Sequence, residues 1–173
     1  MSYHYEVVIS CFLTGRTPEP VLDTLRWLCD LKVTTSEDSP ELSPGFDPSG
    51  LHDVPDDDED FPYQTLRPDP DSYLAGGEIA RLRSQIRGFN ESGDVVEWGF
   101  YARTLVLDDD MGEIYRILEL IAPYVSDDGY GGHEREHYDS DQVSLYLFSG
   151  GTERVKDLRP AGVMRLEVPA PAC

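Results

Sequence analysis

Residues His133, Glu134, Arg135, Glu136 and His137 spell H-E-x-x-H, the pattern with which zinc metalloproteases hold their metal. In that chemistry two imidazoles bind zinc and the glutamate acts as general base on the metal-bound water. The pattern works only on a helix, where side chains four apart stand roughly 5 to 6 Å from each other. On a strand rising about 3.3 Å per residue, His133 and His137 would lie roughly 13 Å apart. Two ligand bonds of about 2 Å cannot bridge that gap.

The flanks oppose a helix: "GYGG" precedes the motif and "YDSD" follows it, with no apolar face on either side. Residues 133 to 137 are therefore expected to be extended or irregular, a solvated segment whose charges alternate in sign. No catalytic group, metal or cofactor is assigned to them. The alternatives are a metal-dependent hydrolase built on His133, Glu134 and His137, or a metal held by His133 or His137 with Asp139 or Asp141.

Other chemistry-bearing runs carry less. "DDDMGE" lacks the alternating ligand spacing of a calcium loop and suits a helix start, and "DDDED" has no glycine turn to wrap carboxylates around an ion. G-x-S-x-G, P-loop and dinucleotide-binding patterns are missing from the sequence. Cys11, Cys29 and Cys173 are odd in number and widely spaced, which fits free thiols.

Aromatic residues supply the binding candidates. At helical spacing Trp27 falls nearly opposite the Leu25 stripe, so a nearby loop or a partner must cover it. Trp98, Phe100 and Tyr146 lie on strand-like segments and would suit a small-molecule site on an open sheet face.

Charge narrows the partners. Fourteen Lys and Arg stand against 34 Asp and Glu, a net of −20 over 173 residues. Nucleic-acid affinity comes largely from cations displacing condensed counterions, so direct nucleic-acid binding is not expected, nor is binding to anionic membranes. No run approaches the roughly 18 apolar residues that span a bilayer, and the chain is expected to be cytoplasmic. A basic protein partner fits the charge best, with self-association as a further possibility.

The elements that must position these residues follow from periodicity. "YHYEVVISCFL" (3–13) alternates as a strand. Thr17 and Pro18 then offer a start for a helix from about 18 to 31 carrying Val21, Leu22, Leu25 and Leu28. From 32 to 71 regular pattern gives way to a Pro- and Asp-rich acidic excursion. "EIARLRSQIRGF" and "VVEWGFYARTLVL" around "NESGD" form a hairpin. Asp110 and Glu113 resemble a capping box ahead of a helix bearing Ile114, Ile117, Leu118 and Ile121. "QVSLYLF" is a strand and "VMRLEV" a weak last one.

Strand, helix, strand, strand, helix, strand is the order of a ferredoxin-like antiparallel sheet with two helices on one face. The expectation is one α+β domain over residues 1–160, with a weakly structured tail at 161–173. Its function would be that of a noncatalytic binding protein.

Overall fold

A computed structural model describes residues 3–31, 64–138 and 142–158. Among these residues the strands and α-helices run in the order β1 (His4–Leu13), α1 (Glu19–Leu28), β2 (Ile79–Asn90), β3 (Gly93–Leu107), α2 (Met111–Ile121), β4 (Gly129–Glu136), β5 (Val143–Ser149) and β6 (Thr152–Leu158). The architecture is α+β. All six strands form one sheet in the order β2-β3-β1-β4-β5-β6, and each neighbouring pair is antiparallel. The sheet as a whole therefore departs from the four-stranded ferredoxin-like pattern, because β5 and β6 continue it beyond β4.

One face of the sheet is the core. Val7, Ile9 and Leu13 of β1 are fully buried beside Phe100, Ala102 and Val106 of β3 and Tyr146 and Phe148 of β5. The apolar faces of α1 (Leu22, Leu25, Leu28) and α2 (Ile114, Ile117, Leu118, Ile121) close the same cluster, as their helical spacing requires. Burying such side chains contributes about 1.5 to 3 kcal/mol each.

Several local expectations are corrected. Thr17 does not cap α1; its hydroxyl donates to the Thr14 carbonyl at 2.7 Å, and no side-chain bond caps that helix. No side-chain hydrogen bond caps α2 at Asp110 either, and Glu113 accepts a hydrogen bond from the Thr65 hydroxyl, reaching the described end of the excursion. β4 takes in "GYGGHERE", a stretch without apolar alternation. The strand forms because β1 and β5 offer backbone partners on both sides. A sixth strand, "TERVKDL", was not expected; "VMRLEV" lies outside the described residues, as do the 161–173 tail and excursion residues 32–63.

The described end of the excursion is part of the fold. Leu66 is buried in the core, its N–H donates to the Leu28 carbonyl at 3.2 Å, and Gln64 Nε2 donates to the Trp27 carbonyl at 2.7 Å. Cys29 is buried and Cys11 half-buried, both as free thiols that burial pushes up to about 12. No helix among the described residues is long and apolar enough to cross a membrane.

Candidate functional site

Residues 133 to 136 are extended within β4, and His137 follows, its N–H donating to the His4 carbonyl at 2.7 Å. Alternation along a strand sends successive side chains to opposite faces, so the pentapeptide's charges are sorted by sign. Glu134 pairs with Val7 on the core face, whereas His133 and Arg135 pair with Val8 and Glu6 on the other. The two imidazoles do not converge, and among the described residues no cluster of three or more potential ligands could hold a metal. Asp139 and Asp141 lie outside those residues.

The same sorting recurs in β6, where Glu153 and Asp157 share the helix side with Phe148 and Ser144, while Lys156 and Arg154 pair with Leu145 and Leu147. In β2, Arg81 pairs with Tyr101 and Arg83 with Gly99. Register thus gathers Arg81, Arg83, Arg103, Arg135, Arg154 and Lys156 on the face that no helix of the described residues covers. Glu6 and Glu97 share that face, and both are engaged by arginines.

Glu6 organises the centre. It is 4 % exposed and accepts hydrogen bonds from Arg103 Nε at 2.7 Å and Arg135 Nε at 2.5 Å. Burial alone would raise its carboxyl; the hydrogen bonds and charges of the two arginines overcome this and hold it below the usual carboxylate range. Arg103 Nη1 also donates to the carbonyls of Ala75 and Gly77, at 2.7 and 3.1 Å, pinning the segment that leads into β2. Next to this cluster His133 Nδ1 lies 2.7 Å from the Tyr130 hydroxyl. Burial, with Arg135 nearby, lowers the His133 imidazole against the opposing pull of Glu6.

Arg81 and Arg83 differ from Arg103. Both are exposed and neither has a carboxylate partner among the described residues. They border a cleft of about 430 Å³ lined by Ser10, Phe12, Gln85 and Tyr101 as well. Gly99 makes the floor. A Cβ there would stand 3.0 Å from Gln85 Nε2 and 3.4 Å from Phe12 Cε1, so its missing side chain lets both groups pack closely over the floor. One face of the Phe12 ring is covered by the Arg87 guanidinium, 3.7 Å from the ring centroid.

Of the aromatic residues expected to bind, Phe100 borders this cleft and Trp27, Trp98 and Tyr146 do not. Phe100 and Tyr146 are core residues, 2 % and 0 % exposed, and so are not displayed on an open face. Trp98 and Trp27 are half-buried against the same core, and the Arg26 guanidinium sits 5.2 Å from the Trp98 ring. Sequence reasoning passed over Arg81, Arg83 and Tyr101, although the arginines two apart in a strand were a legible signal of one charged face.

No family model, curated protein or solved structure matches the chain.

Proposed function

We propose that the protein is a noncatalytic binding module that holds an anionic partner on the open face of its sheet. One observation carries this reading: a chain of net charge −20 places Arg81, Arg83, Arg135, Arg154 and Lys156 together on the face without helices. Contact with an anion is governed by local charge. At physiological salt the screening length is about 8 Å, so acids on the far side of the domain act weakly there. The basic protein partner suggested by composition would have to meet a different surface.

For the fold we propose a ferredoxin-like unit extended by a hairpin. The order β2-β3-β1-β4 with antiparallel pairs supports this, and β5 and β6 are then the addition.

Immobilised heparin, a polyanion, tests the functional reading. Retention at low salt is expected despite the acidic composition, with loss of retention in the double variant Arg81→Ala/Arg83→Ala. Flow-through of the unaltered protein, or equal retention of both, rules the reading out.

A further inference from the structure

We infer that the cleft between β1, β2 and β3 is a site for a planar heteroaromatic ring joined to a phosphate, the chemistry of a nucleoside monophosphate. This rests on the reading of the open face as anion-holding and adds the ligand's class.

Neither the Arg81 nor the Arg83 guanidinium is engaged by a carboxylate among the described residues. Arg81 and Arg83 are two apart on one strand, so they leave the same face roughly 7 Å from each other. One guanidinium already satisfies both oxygens of a carboxylate, whereas a terminal phosphate has three oxygens and can accept a fork from each arginine. Two neighbouring arginines with no acidic partner among the described residues therefore suit phosphate.

Aromatic groups decide the rest. Tyr101 pairs with Arg81 across the β2–β3 ladder, and Phe12 pairs with Gly99, the next residue of β3 on that face. The Tyr101 and Phe12 rings and the Gln85 amide line the cleft around Gly99. A flat ring entering the cleft gains stacking on these aromatic side chains. Gln85 offers a donor and an acceptor, the pair needed at the edge of a heteroaromatic base. A volume of about 430 Å³ falls among those of small-ligand sites and is too small for a large cofactor.

The probes are AMP, adenosine and inorganic phosphate, titrated into the full chain by calorimetry. AMP is expected to bind with Kd of roughly 0.1 mM, and each half-ligand at least about tenfold more weakly. Arg81→Ala/Arg83→Ala should weaken AMP at least about tenfold. Gly99→Leu, which pushes the Gln85 amide and the Phe12 ring out into the cleft, should do the same while leaving phosphate binding in place. The arginine pair decides, because both side chains are exposed and their removal leaves the core untouched. Phosphate binding as tightly as AMP overturns the ring's part while the anion-holding face stands. No AMP binding at about 5 mM, with arginine-dependent retention on heparin, overturns the ligand class alone. AMP binding unaffected by the arginine pair, or neither AMP binding nor heparin retention, overturns both.

Discussion

The Tyr146 hydroxyl donates to Oε2 of Glu134 at 2.6 Å, deep on the helix-packed side of the sheet. Tyr115 donates to the same carboxylate from α2, at 3.1 Å to Oε1 and 3.2 Å to Oε2. The glutamate of the H-E-x-x-H pattern is therefore held by two phenols as a structural group. Tyr146→Phe leaves that buried carboxylate one donor short and should cost about 1 to 3 kcal/mol in urea denaturation. Tyr115→Phe, at a more exposed hydroxyl, should cost under about 1 kcal/mol. Equal losses would show that the two phenols share the carboxylate evenly.

The same cluster predicts an alkaline limit. Burial, and then the nearby Glu134 carboxylate, push the Tyr115 phenol from 10.0 up to about 12, and both act on Tyr146 in the same direction. A raised folded value means the native state favours the protonated phenol. The resulting stability is complete below pH 10, where the unfolded chain also keeps its proton, and is lost as pH rises through the folded value. Chemical denaturation at increasing pH should show the decline beginning near pH 10, and Tyr115→Phe should reduce it. A profile flat to pH 12 counts against the cluster.

At the other end of the scale stands Glu6. Its carboxyl lies below its ordinary value of 4.5 because Arg103 and Arg135 outweigh burial. Such a group stabilises the fold above the unfolded value, and the contribution is lost as pH falls through the lower folded one. Glu6→Gln leaves two guanidiniums short of an acceptor and should cost roughly 1 to 3 kcal/mol at neutral pH, the lower part of that range applying because Arg135 is partly solvated. It should also flatten the acid limb of the stability profile. An unchanged acid limb would mean that other carboxylates set it.

Gly132 is the position where backbone geometry leaves no alternative. Its φ is +150° and an added Cβ would stand 2.1 Å from the Val8 carbonyl oxygen. Gly132→Ala should cost more than about 3 kcal/mol or prevent folding. Gly88→Ala, with nothing within 4 Å of its Cβ position, should change stability by no more than about 1 kcal/mol.

Leu66→Ala probes the end of the excursion. The side chain is 1 % exposed in the core, and truncation of such a leucine costs roughly 2 to 5 kcal/mol. A loss under about 1 kcal/mol would show that the segment is only loosely seated.

What the sequence disclosed follows physical lines. Where burial is one-sided and the pattern apolar, as in Val7, Ile9 and Leu13 or in Ile114, Ile117, Leu118 and Ile121, the element is legible. β4 and β6 are not, because their residues are Gly and alternating charges, and only the ladders beside them make them strands. Phe100 and Tyr146 were legible in principle: they stand in phase with buried Ala102 and Phe148, which places them in the core. The basic face was obscured because net charge is a sum over the whole chain, while a surface is selected by strand parity.

Charge sorted by strand parity also gives the molecule polarity in space, not merely a large negative total. Glu119, Glu153 and Asp157 lie on the helix side and Arg81, Arg83 and Lys156 on the other. Two copies meeting open face to open face would oppose like charges. The favourable approach sets the open face of one copy against the helix side of the next. That contact is head-to-tail; unless a rotation closes it into a ring, it repeats as a stack.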